Sequence, residues 1–414
     1  MLLSKLFTKT RKEVAKDEIS LNAKLLVRAG FVSKEMAGVY NFLPLGLIML
    51  KKIQEIIRKE INVIGGQEIL MPTLTPIESY KKTKRDKIDV LFKTKLHSGA
   101  EFVLNQSHEE VITPLVAQFV RSYKDLPSYV YQIQTKFRNE PRAKSGLLRG
   151  REFSMKDLYS FHVDQKDLDG YYEIVKKAYF KIFDRLGIGD RTYLVYASGG
   201  TFSKYSHEFQ TLCATGEDEI YLCPRCKIGV NKEIINEPFD SAQGRQKVCP
   251  ECKGKKFEIK KTIEVGNIFK LGSKFSDAFE FKFVDRDGKL KPIIMGCYGM
   301  GPSRIMGTIA EIFNDENGLV LPEAVAPYKY HVVVLNLKSQ ISNLKNIVNI
   351  LGEENCLIDD RDISAGGKFA DADLLGMPYR VVISPKTLEK KEVEIKDRKS
   401  GEIEMVKIDK ITKL

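Results

Sequence analysis

Apolar positions at Leu45, Ile48, Met49, Ile53, Ile56, Ile57, Ile61 and Ile64 recur every three or four residues, and Gly65-Gly66 follows. That spacing predicts one amphipathic helix over 45–64. Gln67 to Met71 alternates like a strand and stops at Pro72. Residues 101–105 repeat the strand pattern, and Ser107-His108-Glu109-Glu110 then has the form of a capping box that opens a helix. Two longer strand-like runs, 128–138 and 149–162, are joined by a polar, basic loop and predict a long antiparallel hairpin. An amphipathic helix over 165–186 ends at Gly187. Strand-like runs return at 263–269 and 279–284, and a glycine cluster at 296–301 leads into a helix. Past Pro327, Val332–Leu335 and Val381–Ile383 read as buried strands with helical segments between them, a separate α/β domain of about ninety residues.

A chain of 414 residues predicts two or three domains, and 43% hydrophobic content excludes a disordered chain. The most apolar run, Val39 to Leu50, is broken by Asn41, Pro44 and Gly46, short of the ~18 residues of a membrane span. Leu2 and Leu3 give way at once to Lys9, Arg11 and Lys12, unlike a signal peptide. The expectation is a cytoplasmic protein without a membrane partner. A net charge of +12 suits a nucleic-acid partner, or simply a lysine-rich solvated surface. Residues 217–261 are rich in Lys, Glu and Cys with few large apolar residues, and look like a small inserted module.

That module holds four of the seven cysteines, as Cys223-Pro-Arg-Cys226 and Cys249-Pro-Glu-Cys252 with 22 residues between the pairs. Four thiolates at this spacing predict a closed structural Zn²⁺ site; a redox pair is the alternative. The predicted hairpin carries Phe137-Arg138-Asn139-Glu140 at its turn and Arg149-Gly150-Arg151-Glu152-Phe153 on its return. A strand-held arginine can fork onto a phosphate. A carboxylate two residues on shares its face and can accept from an adenine amino group, while Phe153 offers a flat surface to a base. The alternative is a cross-strand ion pair beside a core phenylalanine.

The run from Tyr131 to Arg138 and from Arg151 to Phe161 resembles motif 2 of the class II aminoacyl-tRNA synthetases, in its prolyl form. Gly296-Cys-Tyr-Gly-Met-Gly301-Pro-Ser-Arg304 resembles motif 3, and the helix 45–64 with the strand ending at Pro72 resembles motif 1, the family's dimer-forming element. Further matches run from Leu26-Val-Arg-Ala-Gly-Phe31 through Ser206-His-Glu-Phe209 and Ile263-Glu-Val-Gly-Asn-Ile-Phe269 to Phe369-Ala-Asp-Ala-Asp-Leu-Leu-Gly-Met-Pro378. The resemblance implies an α/β protein: an antiparallel-sheet catalytic core flanked by helices (1–216 and 262–326), a zinc-ribbon-like insertion (217–261) and an α/β anticodon-binding domain (327–414).

It also implies roles. Arg138 would take the α-phosphate of ATP, Glu140 the adenine, Phe153 the base face and Arg304 the triphosphate tail, with Arg149 nearby and Mg²⁺ as the metal. The family's Thr-x-Glu loop reads Ser107-His108-Glu109 here, so Glu109 would receive the amino group of L-proline and Ser107 is claimed by both loop and cap. His207 and Cys297 match positions near the proline pocket. The family's glycine pair before Ser-His-Glu-Phe is offset here, at Gly199-Gly200. Arg361, Lys396 and Arg398 are candidate contacts to tRNA(Pro), or a solvated charged face. The implied product is prolyl-tRNA, made by a homodimer. Bacterial-type members often carry a large editing domain between motifs 2 and 3. About 45 residues stand there now, too few for one, so a trans-acting alanyl-tRNA(Pro) deacylase is an expected partner. Two competitors are a threonine-type relative, which would place a catalytic zinc in the core, and a non-catalytic paralogue, which would have lost the ATP residues.

Overall fold

The structure, a computed structural model, describes residues 1–13, 18–143, 145–236, 248–336 and 341–413. The helix read at 45–64 is α1 (Pro44–Val63), with proline at its first position, where a missing N–H costs nothing. The strand expected at 67–71 is reduced to β1 (Gln67–Glu68). One backbone bond follows, from Ile69 N–H to the Tyr131 carbonyl at 2.8 Å; at Met71 side chains replace the ladder, its N–H donating to Gln132 Oε1 at 3.1 Å and its carbonyl accepting from the Gln134 amide. The strand at 101–104 pairs with 74–76 and 92–95 in a small separate sheet. The helix after it is α2 (Glu109–Val116).

The hairpin forms as β2 (Ser128–Phe137) and β3 (Glu152–His162), in antiparallel register from Ser128↔Phe161 to Phe137↔Glu152. The next helix, α3 (Gln165–Arg185), starts at Asp164, whose side chain accepts from Asp167 N–H at 2.8 Å. Its buried stripe of Leu168, Tyr172, Val175, Tyr179 and Phe183 has helical period, and the Tyr179 and Phe183 rings meet Phe209 at 5.0 and 5.4 Å. Then come β4 (Thr192–Ser198), β5 (Tyr205–Leu212), β6 (Asp218–Leu222), β7 (Gly229–Asn231), β8 (Glu258–Gly272) and β9 (Ile294–Met300). Together they make a nine-stranded sheet in the order β5-β4-β7-β6-β8-β9-β3-β2-β1, with β5 also paired to β8. Only the β7–β4 and β1–β2 pairings are parallel. The glycine cluster lies within β9, and α4 (Pro302–Ile312) follows directly. The run at 279–284 is a strand only at Lys282–Val284, because Glu280 turns left-handed at φ 53°. Beneath the sheet, Ile112, Tyr159, Phe161, Phe275 and Met295 share one buried cluster.

The C-terminal pattern resolves as β10 (Tyr330–Val334), α5 (Ile341–Leu351), β11 (Cys356–Asp359), α6 (Ala365–Leu375), β12 (Tyr379–Ile383), β13 (Glu392–Asp397) and β14 (Ile403–Lys407). The sheet order is β11-β10-β12-β13-β14; the first three strands are parallel and the last two antiparallel. Its valine- and isoleucine-rich strands are buried on a core of Val332, Val334, Ile347, Val381, Ile383 and Val393.

Two compact units result. One is Gln54–Ala143 with Leu147–Thr308; the other is Met1–Ile53 with Lys144–Gly146 and Ile309–Leu414. The N-terminal segment thus clusters with the C-terminal part of the chain, a grouping that linear bounds do not convey. The middle of the insertion, 237–247, lies outside the described residues. Among the described residues no helix is long and apolar enough to cross a membrane.

Candidate active site

A cavity of about 320 Å³ opens on the sheet, lined among others by Arg138, Phe153, Arg304, Glu109, Cys297 and Gly299. At Gly299 an added Cβ would find nothing closer than the Asn267 carbonyl at 3.7 Å, so the glycine leaves this wall open to a ligand.

One end of the cavity carries two arginines. Arg138 follows the last hairpin pair and is fixed by its own N–H donating to the Arg151 carbonyl at 2.8 Å. Its guanidinium lies 5.2 Å from the Phe153 ring centroid, and its buried Nε meets no acceptor among the described residues. Burial, and then the charge of Arg304, push its pKa down. Arg304 donates through Nη1 to the Glu264 carboxylate at 2.8 Å and the Glu264 carbonyl at 3.1 Å. Burial works against its charge, but Glu264 outweighs it and the pKa rises. Glu140 is held from two sides: Arg149 Nε donates to its carboxylate at 2.9 Å and Arg151 Nε to its carbonyl at 3.0 Å. An adjoining polar pocket of about 240 Å³ shares Arg138, Glu140 and Arg304 and adds Arg149, Glu217 and Asp218.

The other end is built around a buried carboxylate. Glu109, fully buried in the first turn of α2, accepts from the Cys297 thiol at 3.1 Å and from Arg85 Nη1 at 3.3 Å. Burial and Glu109 together push the Cys297 thiol well up, so it stays a neutral donor. The capping box is overturned here. The N-cap is His108, without a side-chain cap, and Ser107 Oγ instead accepts from Arg85 Nη2 at 3.3 Å. Arg85 also reaches Glu110 at 2.9 Å and sits 4.4 Å from the Phe202 ring centroid. Burial pushes the Glu110 carboxyl up against the pull of Arg85. The turn before α2 is braced from below: His108 N–H donates to Tyr159 Oη at 2.9 Å, that hydroxyl to Asp157 at 2.9 Å, and Asp157 pairs with buried Lys136 at 2.8 Å. Burial, and then Lys136, bring the His108 pKa down to about 4, so this histidine is neutral.

Arg85 was not signalled by sequence, since it stands in the charged run Lys81–Lys87. The offset glycine pair builds a tight turn between β4 and β5, with Gly199 N–H donating to the Lys204 carbonyl at 3.1 Å, and this turn delivers Phe202 to the cavity. His207 is not brought to the cavity. It faces Tyr172, whose hydroxyl is 2.8 Å from Nδ1, and packs edge-on to Tyr196 at 4.5 Å. Strand alternation gives the cavity its neighbour Glu208 instead. Gln210 and Asn231 donate to Glu208 Oε2 at 2.8 and 3.1 Å; burial, and then Glu264, push its pKa up to about 8.

The four insertion cysteines meet, every Sγ within 4.8 Å of the others. A tetrahedron at the usual ~2.3 Å zinc–sulfur distance puts sulfurs about 3.8 Å apart; Cys223–Cys252 and Cys226–Cys249 stand at 3.5 and 3.4 Å. The two Cys-Pro-x-Cys turns are twins. In each, the following lysine, Lys227 or Lys253, is left-handed at φ 59° and donates its N–H to the carbonyl of the first cysteine at 3.0 Å. The set fits a four-coordinate zinc.

The three C-terminal cations are all engaged. Arg361 forks onto Asp359 at 2.8 and 2.7 Å and reaches Asp371 at 2.8 Å; Lys396 pairs with Asp373 at 3.2 Å. Arg398, buried, forks onto Asp315, with one contact at 2.7 Å.

Residues 92–313 match the tRNA synthetase class II core domain (G, H, P, S and T), and residues 331–414 match an anticodon binding domain. The proline--tRNA ligase of Persephonella marina is 33% identical, with 99% of each chain covered. That of Anaplasma phagocytophilum is 37% identical, again over 99% of each. The first alignment runs over 561 positions, so at least 147 of them (561 less 414) have no counterpart here; the second runs over 428. Among solved structures, the prolyl-tRNA synthetase of Giardia lamblia in complex with prolyl-adenylate is similar with a TM-score of 0.77, covering 94% of this chain and 74% of that one at 20% identity. The Cryptosporidium parvum prolyl-tRNA synthetase complexed with L-proline and AMP gives 0.75, 97%, 78% and 18%.

Proposed function

Because the chain belongs to the proline–tRNA ligases, class II aminoacyl-tRNA synthetases, we propose a division of its cavity into an ATP end and a proline end. The reaction is ATP-dependent ligation of proline to tRNA. The observation that carries the division is that one cavity holds Arg138, Phe153 and Arg304 together with Glu109 and Cys297. Adenine stacks on Phe153, with Glu140 accepting from its amino group, and Arg149 keeps that carboxylate in place. Arg138 takes the α-phosphate with donors that no carboxylate uses. Arg304 takes the tail. Glu208 and Glu264, two carboxyls that repel each other, would hold the Mg²⁺ of the nucleotide, which would offset charge on the phosphates.

At the proline end, Arg85 brings one positive charge against Glu109 and Glu110. The ammonium of proline supplies the second, and Glu109 is the carboxylate placed to receive it. A proline carboxylate oxygen then attacks the α-phosphorus in line, the bond to the bridging oxygen of pyrophosphate breaks, and pyrophosphate leaves. Positioning and electrostatic stabilisation carry the step. The terminal hydroxyl of tRNA next attacks the prolyl carbonyl and AMP departs. His207 enters this account only as packing behind Glu208.

The domain bounds, the zinc, the dimer and the absence of cis-editing belong to the same proposal. The 327–414 domain takes the anticodon stem-loop; Arg361 and Lys396 stay partly exposed there, whereas Arg398 is a brace. Val63 and Leu70, on and just after α1, are 75% and 77% exposed, which suits burial against a second copy. The cytoplasm, where tRNA is charged, is the compartment. Amino-acid-dependent ATP–pyrophosphate exchange across all amino acids tests the reading. Proline gives strong exchange and alanine weak exchange, because a methylene is worth only about 1–3 kcal/mol in a pocket. Alanyl-tRNA(Pro) incubated with the enzyme alone remains acylated. Rapid deacylation would contradict the trans-editing part; sedimentation as an active monomer at micromolar concentration would contradict the dimer.

A further inference from the structure

The inserted module is compositionally distinct from the core, yet its strands are built into the same nine-stranded sheet. Strand β6 pairs with β8, β7 with β6, and β7 closes back onto β4 in parallel through Gly229↔Val195 and Val230↔Tyr196. With β4–β5 and β5–β8 this makes a closed ring of five strands. The closure needs glycine: a Cβ on Gly229 would lie 2.7 Å from Val195 Cγ2. Val195, Ile220 and Leu222 fill one side of the ring, and Val230, Ile234 and Ile235 the other.

Both cysteine turns anchor that ring. The first joins β6 to β7, with Cys223 N–H donating to the Ile228 carbonyl at 2.9 Å. The second precedes β8, and its Glu251 accepts from Tyr196 Oη on β4 at 2.6 Å. At the end of β7, Asn231 points two ways. Its Oδ1 accepts from Glu233 N–H at 3.2 Å, and its Nδ2 donates to Glu208 at 3.1 Å. Glu208 lines the ATP end of the cavity. Both of its donors, Gln210 and Asn231, use Oε2, which leaves Oε1 its acceptor capacity.

We propose that the four-cysteine metal site is a strut of the active site: by locking β7 against β4 it places Asn231, a positioning residue, so that Asn231 orients Glu208 toward the nucleotide. The proposal rests on the zinc reading above and extends it from folding to ATP recognition. It predicts that the site communicates with the ATP end and leaves the proline end alone, since among the described residues Glu109, Arg85 and Cys297 take no hydrogen bond from the ribbon.

The test uses the full-length purified protein. Metal content is measured first, and one zinc per chain is expected. Two variants follow, Asn231→Leu and Asn231→Asp. Leucine loses both amide contacts; aspartate keeps the acceptor for Glu233 N–H but replaces the donor to Glu208 with a second carboxyl. With zinc content and Tm close to wild type, KM for ATP and the calorimetric Kd for ATP rise about tenfold in the aspartate variant, the scale of one charge-assisted hydrogen bond. The leucine variant rises less, while KM for proline and kcat stay near wild type. A merely structural role would reverse the order, because leucine alone loses the turn contact. In Cys226→Ser with Cys252→Ser, the half-exposed pair, zinc is lost and any folded fraction shows the same selective rise for ATP. Metal-free wild-type protein with full activity would overturn the zinc reading itself. One zinc per chain with unchanged ATP constants in both Asn231 variants would overturn the strut and leave the zinc reading standing.

Discussion

Arginines at the cavity and arginines of the C-terminal part of the chain are the same side chain held in opposite ways. Arg361 spends Nε and Nη2 on Asp359, and Arg398 spends both terminal nitrogens on Asp315. Among the described residues, Arg138 leaves Nε without an acceptor, and Arg304 uses only Nη1. The forks of the first set are closed by carboxylates that fold the domain; those of the second are open toward a cavity. A charge count cannot tell the two apart. What separates them is which donors remain, because a guanidinium whose fork is occupied has no preorganised pair left for a phosphate.

The largest expected effect is at an open fork. Arg304→Ala lowers proline-dependent exchange by about 10²–10³-fold while Tm holds within a few degrees, measured on the same preparation. An exchange rate within threefold of wild type would show that its pairing with Glu264 is structural, and the contrast would fail. Glu109→Gln sharpens the comparison at the other end of the cavity. It keeps the shape and removes the charge, so KM for proline rises about tenfold, from a charge-assisted bond of about 1.5–3 kcal/mol. KM for ATP stays level in steady-state exchange assays; equal rises in both would dissolve the two-ended division. Smallest in activity is the closed fork. Arg398→Ala leaves exchange per folded molecule unchanged and costs roughly 1–2 kcal/mol of stability, discounted because Asp315 is partly exposed. Arg398 holds the Asp315 carboxyl down to about 2. A depressed carboxylate stabilises above its unfolded pKa of ~3.9 and loses that contribution as pH falls through the folded value. The stability gap between wild type and variant, read by denaturant unfolding, is therefore full at pH 7 and closes between about pH 4 and 2.

Much of this was legible in the chain. The 128–162 hairpin announced itself by two apolar runs around a basic turn, and α1 and α3 by period alone. The meeting of the four cysteines was legible because their paired Cys-x-x-Cys spacing is the one a four-thiolate site requires. Failures cluster where a distant residue overrides a local rule. Ser107 satisfies a capping box on paper, but Arg85, 22 residues upstream, takes its hydroxyl. Arg85 itself carries no signal, since one buried arginine in a lysine-rich run looks solvated. At Met71, glutamines on β2 supply the bonds a strand would have made, so the pattern stayed β-like where the backbone ladder had ended. His207 was expected near the proline pocket from the resemblance, whereas the period-two geometry of β5 handed the cavity Glu208. The closure of β7 onto β4 was invisible because two residue pairs carry it.

The contrast between open and closed forks is tested most directly by one side-by-side measurement: proline-dependent ATP–pyrophosphate exchange by Arg138→Ala and Arg398→Ala at equal concentrations of folded protein. The account predicts exchange lost in the first and retained at the wild-type rate in the second. Retention by Arg138→Ala, or a loss in Arg398→Ala that its stability does not explain, would contradict it.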